Sequence, residues 1–314
     1  MKVTLIHNPN AGVDQPSGDE LISLARGAGY SVIYQSSAVA EWQRVFEEPT
    51  DLVAVAGGDG IVGEVAKRLV GRYLPFTILP LGTANNVAAT LGLTQRPLDQ
   101  LIQGWAHARH QPFDVGVAKG GWGSSYFIEG LGLGAFTETM ALLDARKNID
   151  IAHYSEADQK INSVLRIMNI RLESSAARHL KLALDDRDLS GDYVMLEAMN
   201  IRCVGPNLRL APNADPGDGL LDLVLVADRH RDWINRYLSE RTEGKESYPA
   251  LPVFQGRHLR IECDELRVHI DDDVWPGEGD HPPYSPIIID VSLHDSLDVL
   301  LPEQARPTND PLAR

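Results

Sequence analysis

The sequence predicts an α/β N-terminal domain, a mostly parallel sheet with helices on both faces, followed by a second, antiparallel β-rich domain. Three observations carry this. Strands and helices alternate from Val3 to Arg109, the pattern of a parallel sheet covered on both sides. Three strand ends run into turns, Asn8–Gly12, Gly57–Gly63 and Gly82–Asn86. From Leu180 onward strand follows strand, interrupted by one helical stretch, Arg231–Arg241. At 314 residues the chain suits two domains at the usual ~100–200 residues each. The boundary is expected near 117–124, giving domains at 1–120 and 121–301 and a disordered tail at 302–314.

Taken in order, Val3–Ile6 reads as a short buried strand that ends at His7 and the first turn. A helix over Gly18–Gly29 leads to a strand, Tyr30–Tyr34, and then to Ser36. Glu41–Glu48 is expected to be helical, Leu52–Ala56 a strand, and Val62–Val70 a helix. Phe76–Leu79 is the next strand, followed by a short helix at Asn85–Leu91 and a longer one at Pro97–Arg109. Ser125–Leu133 reads as one glycine-rich strand, and Ala157–Ile170 as a helix. Its stripe of Ile161, Val164, Leu165 and Met168 is expected in the core, with a lipid-facing surface as the lesser reading. The strands after it are Leu180–Leu184, Gly191–Arg202, Leu220–Val226, His258–Cys263, Leu266–Ile270 and Ile287–Val291.

The second turn is the most informative. Gly57, Gly58 and Gly60 permit positive φ and close approach of a ligand to the backbone. Amides opening the next helix would face an anion, most simply a phosphate. Asp59 in that turn would repel phosphate, so a metal ion or a substrate hydroxyl is expected between them. Gly58, Gly60 and Gly63 also satisfy the GxGxxG dinucleotide fingerprint. That fingerprint asks for an acid about 20 residues on to hold a ribose. No Asp or Glu occurs between Glu64 and Asp99, which disfavours a dehydrogenase. The GxxxxGK[ST] phosphate loop is absent too.

Charge narrows the partners. With 29 basic and 44 acidic residues the net charge is −15, which speaks against nucleic acid and against strong adhesion to anionic membranes. Two cysteines, Cys203 and Cys263, fit a reducing compartment. No apolar run approaches the ~20 residues of a membrane span, so no stable membrane insertion is expected. Neither the ten histidines nor the cysteines form a zinc pattern. The location expected is cytoplasmic, with peripheral contact at a membrane as an extension of that reading.

Several segments together resemble the diacylglycerol kinase catalytic-domain family, which also holds sphingosine kinases and soluble bacterial lipid kinases. They are Asn8-Pro9-Asn10-Ala11-Gly12, Gly57-Gly58-Asp59-Gly60 with Glu64, and Leu79-Pro80-Leu81-Gly82-Thr83-Ala84-Asn85-Asn86. Ala211–Asp222 is similar to the family's proline- and glycine-rich loop, and Asp271-Asp272-Asp273 stands where members commonly carry Asp-Gly-Glu.

The resemblance implies a two-domain, ATP- and Mg²⁺-dependent kinase with its site in the interdomain cleft. Asn8, Pro9, Asn10, Ala11, Gly12, Ser36, Gly57, Gly58, Asp59, Gly60, Ile61, Glu64, Gly82, Thr83 and Asn85 would line the nucleotide. Asp215, Asp218 and the Leu220 carbonyl would match a structural Mg²⁺ site. Asp273 would be the proton acceptor, with Asp59 and Asp271 completing the catalytic set. On a strand, Asp271 and Asp273 would share a face and Asp272 would point away. Two departures stand out: Ile61 where a Thr is usual, and Asp273 in place of Glu, shorter by about 1.5 Å.

The expected acceptor is a hydroxyl of diacylglycerol or a related lipid alcohol, collected from a membrane surface. A soluble-substrate kinase acting on NAD or a sugar phosphate stays open, as does a nucleotide-binding regulator that has lost its chemistry.

Overall fold

The computed structural model describes residues 1–12, 14–146, 157–245, 247–264, 267–277 and 286–303. Beyond Glu303, the expected tail lies outside these residues, as does Leu266.

The first half comprises β1 (Lys2–His7), α1 (Gly18–Gly27), β2 (Ser31–Ser36), β3 (Leu52–Gly57), α2 (Asp59–Leu69), β4 (Phe76–Pro80), α3 (Asn86–Thr90) and α4 (Leu98–Gln103). β1, β2, β3 and β4 pair in parallel in the order 4-3-1-2. β3 is buried along its whole length, as its unbroken apolar run requires of a strand covered on both faces. α1 opens on a capping box in which Ser17 and Glu20 each accept from the other's backbone amide. Glu41–Glu48 is a tighter 3-10 turn over Trp42–Glu47, and the helix expected to run to Arg109 ends at Gln103.

The second half is built from β5 (Arg109–Gly120), β6 (Gly123–Phe127), β7 (Gly130–Gly134), α5 (Ala135–Arg146), α6 (Ala157–Ser174), β8 (Arg178–Leu184), β9 (Arg187–Asp188), β10 (Gly191–Met199), β11 (Cys203–Val204), β12 (Leu208–Arg209) and β13 (Leu221–Ala227). Then come α7 (Arg231–Thr242), β14 (Val253–Gly256), β15 (His258–Cys263), β16 (Val268–Ile270), β17 (Asp273–Trp275) and β18 (Ile287–Leu301). Apart from β18 with β4, its pairings are antiparallel. The single strand expected over Ser125–Leu133 is two strands, broken at Ile128–Glu129. Leu165, Met168 and Leu172 of α6 are buried in a core with α7 and β10, so the helix's stripe faces inward.

β5 and β18 form a long antiparallel ribbon. At its far end Val299 pairs with Phe76 of β4, and the Thr77 hydroxyl donates to the Leu300 carbonyl at 3.0 Å. Leu297, Val299, Leu300 and Leu301 therefore pack in the core of the first half, whereas Ile287, Ile289 and Val291 pack in the second. One strand thus enters both cores.

Candidate active site

In a parallel sheet of order 4-3-1-2, ligands bind at the carboxyl ends of the strands, where the order reverses. Asn8–Gly12 follows β1, Ser36 ends β2, Gly58 follows β3, and Gly82–Asn85 follows β4. Most of the residues expected to hold the nucleotide therefore gather along one sheet edge, while Ile61 and Glu64 lie further along α2.

The glycines act differently from expectation. Gly57, Gly58 and Gly60 do not take positive φ, and Gly58 is extended at −96°. Gly58 and Gly82 lie backbone against backbone, and a Cβ on Gly58 would come 3.1 Å from the Gly82 Cα. Absence of side chains lets the two turns touch. Gly12 does need its freedom, with φ +65° and the Leu81 carbonyl where a Cβ would stand. Ile61 is buried and packs over Gly57, and Thr83 is exposed at the edge.

Asp59 caps the neighbouring helix. Its Oδ2 accepts from the Asn86 amide at 2.9 Å and its Oδ1 from Val87 at 3.1 Å. Burial nonetheless pushes its carboxyl up to about 6, outweighing those amides. Glu129 is fully buried beside it, accepts from Asn86 Nδ2 at 3.1 Å, and is held well above the carboxylate range by desolvation and by Asp59.

The acidic triplet is a turn rather than a strand. Ile270 pairs with Asp273, leaving Asp271 and Asp272 as the two turn residues, with Asp271 at φ +50°. Asp271 therefore does not share a strand face with Asp273. Its carboxylate accepts from the amides of Ile128, Glu129 and Gly130 at 2.8–3.3 Å, and pairs with Lys67 at 2.7 Å. Asp272 is exposed at the turn, yet its carboxylate is directed at α2, 3.4 Å from where a Gly60 Cβ would stand. Desolvation, then Asp271 and Asp273, push it upward. Behind the turn, His269 donates through Nδ1 to the Asp271 carbonyl at 3.0 Å and meets Glu197 through Nε2 at 2.7 Å, both side chains fully buried.

These groups enclose a cavity of about 160 Å³ lined by Asp59, Glu64, Lys67, Glu129, Asp271, Asp272 and Asp273. A second, more open cleft of about 370 Å³ lies beside it, lined by Trp122, Tyr126, Ile270, Val274 and Trp275, together with Lys67 and Asp273. Its two tryptophans meet edge to face at 5.0 Å. Sequence reasoning missed Lys67 and Glu129, and it placed Asn86 and Asp272 within motifs without giving either a role at the site. For Lys67 the i, i+3, i+7 spacing with Gly60 and Gly63 was the one available signal.

The loop after β12 carries the expected cation ligands. Asp218 Oδ1 accepts from the Leu220 amide and Asp215 Oδ1 from Gly217. Asp222, nearby, is pushed up to about 6 by burial and then by Asp218, and its Oδ2 is buried without a hydrogen-bond partner. Among the described residues no three acidic, His or Cys side chains converge as a metal cage. Hard oxygens from one or two carboxylates, a carbonyl and waters are what Mg²⁺ takes, so the donor set fits.

A glycine-turn edge on a parallel sheet is faced by an acidic turn from a β-rich half. A sequence model of the diacylglycerol kinase catalytic domain matches residues 2–118, and one of the YegS C-terminal NAD kinase beta sandwich-like domain matches 143–292. The two halves are thus similar to the two domains of a lipid-kinase-type phosphotransferase, and a kinase catalytic domain implies ATP as phosphoryl donor. The chain is 26% identical to a diacylglycerol kinase of Mycobacterium tuberculosis over 71% of each chain. It is 24% identical to one of Bacillus subtilis, covering 96% of this chain and 97% of that one. The crystal structure of a putative diacylglycerol kinase from Bacillus anthracis superposes with a TM-score of 0.67 at 20% identity, covering 96% and 98% of the two chains. No described helix is long and apolar enough to cross a membrane.

Proposed function

We propose that the chain transfers the γ-phosphate of ATP to a hydroxyl of diacylglycerol or a related lipid alcohol. The observation that carries this is the aromatic cleft, which meets the carboxylate cavity at Asp273 and Lys67. At about 370 Å³ it is at the small end of ligand pockets, which span ~300–1,000 Å³. It suits a glycerol backbone and the first methylenes, with the remaining chain left in a membrane surface.

ATP lies along the edge formed by Asn8–Gly12, Ser36, Gly57–Ile61, Glu64, Gly82, Thr83 and Asn85. Asp215, Asp218 and the Leu220 carbonyl would hold Mg²⁺, which when bound would supply structural charge neutralisation. Asp273 is exposed to the cleft and takes the hydroxyl proton. The hydroxyl oxygen bonds to the γ-phosphorus as the bond to the β-phosphate oxygen breaks, and ADP leaves with that electron pair. Asp271 fixes the turn that presents Asp273, and Asp59 joins the nucleotide turn to α3. Phosphoryl transfer asks for this alignment and charge placement more than for covalent chemistry.

The test is transfer of labelled γ-phosphate to a series of lipid alcohols in mixed micelles. Wild type is expected to label at least one, and Asp273→Asn to lose ~10²–10⁴ in turnover as a proton acceptor would. Asp273→Glu retains activity. If ATP binds and no lipid is labelled, while NAD or a sugar phosphate is, the soluble-substrate kinase replaces this reading. If neither class is labelled, the regulator does.

A further inference from the structure

Gly60, Gly63 and Lys67 share one face of α2, the face on which the acidic turn lies. The two glycines leave room for it: a Cβ at Gly60 would sit 3.4 Å from Asp272 Oδ2, and one at Gly63 3.9 Å from Asp271 Oδ2. Lys67 is the next position on that face. Helix side chains lean toward the N-terminus, so its ammonium is carried back along the groove to Asp271 at 2.7 Å. There it borders both the carboxylate cavity and the aromatic cleft, with a quarter of its side chain exposed.

Two facts make this more than a counter-ion for Asp271. Asp271 already accepts from three backbone amides, so its charge is stabilised without the lysine. Lys67 is also the only basic side chain lining the carboxylate cavity among the described residues, against six carboxylates. An ammonium has three donors, and one suffices for Asp271. A phosphoryl group entering this place would be repelled unless a cation met it.

Resting on the phosphotransfer reading above, we propose that Lys67 is a catalytic residue that receives the phosphoryl group in transit. Its two remaining N–H groups donate to the non-bridging oxygens while the acceptor oxygen bonds to phosphorus and the bond to ADP breaks. Lys67 stays protonated throughout, and the hydroxyl proton goes to Asp273. Asp271 holds the ammonium at the boundary between donor and acceptor.

The experiment needs no lipid. Calorimetry on the full chain with Mg²⁺ compares ADP plus aluminium fluoride, which mimics the transferring group, with the non-hydrolysable analogue AMP-PNP. Lys67→Met is expected to weaken the aluminium fluoride complex at least ~100-fold, the scale of one lost charge-stabilising donor. AMP-PNP affinity stays within about threefold, under 1 kcal/mol. Lys67→Arg recovers most of the loss. Equal losses on both ligands, or none, would leave Lys67 as a counter-ion and overturn the proposal. Should Lys67→Met not fold, Lys67→Gln carries the same comparison. A wild type that binds neither ligand would sink the phosphotransfer reading itself, and the proposal with it.

Discussion

Asp59 opens one helix and caps the next, and the two tasks set its chemistry. Accepting from Asn86 and Val87 ties the second turn to the third, while burial raises its carboxyl from 3.8 to about 6. Asp59→Asn is expected to lower turnover at least ~10²-fold, measured at saturating ATP. Near-normal turnover would leave Asp59 with the capping task alone. The raised carboxyl also fixes a stability signature. The native state holds a proton that the unfolded chain releases above its own, lower value, so this contribution is fully present below about pH 4. It declines as pH rises through about 6. Asp59→Asn lacks that decline, so the melting temperature of the variant minus that of wild type should increase from pH 4 to pH 7. A difference independent of pH would show that Asp59 keeps its usual carboxyl in the fold. Asp59 was legible because a carboxylate inside a glycine turn is chemically odd. Glu129, Asp272 and Lys67 were not, because each gains its meaning only when α2, the break after β6 and the β16–β17 turn are brought together.

The acidic turn is steadied by the strands behind it. β16 lies beside β7, and His269 crosses under Gly132 to reach Glu197 on β10. A Cβ at Gly132 would overlap the Glu197 carboxylate, so the glycine is required by a buried pair rather than by backbone conformation. Gly132→Ala should destabilise the protein by ~1–3 kcal/mol, the usual scale of overpacking, read from urea unfolding. It should also slow phosphate transfer, because His269 holds the Asp271 carbonyl. Unchanged stability would mean that the strands part without effort. At this scale the first half was readable, since strands buried on both faces are unbroken apolar runs bounded by turns. The misses have equally physical causes. β5 begins Arg109-His110-Gln111-Pro112, polar residues that carry no strand pattern, and β18 continues past Val291 through Ser292, His294 and Asp295. α5 starts directly at the end of β7 with no intervening turn signal.

At the scale of the molecule the two halves are joined by the β5–β18 ribbon. Ribbon residues Phe113, Val115 and Leu297 belong to the first core, and Ala118, Ile289 and Val291 to the second. Between them the register shifts at Leu293/Asp295. His294, at that shift, stacks on Tyr126 of the aromatic cleft at 5.2 Å. A bulge bends a strand and disrupts its ladder locally, so relative motion of the halves would concentrate beside the aromatic cleft. Shared strands argue the other way for unfolding: neither core is complete when the ribbon is lost. Leu297→Ala removes a nearly buried side chain from the first core, and should cost ~2–5 kcal/mol. Hydrogen exchange should then accelerate in β3 of the first half and β10 of the second by the same factor, as one cooperative unit requires. If β10 keeps its wild-type protection while β3 loses it, the halves unfold separately and the ribbon is a hinge between two independent cores.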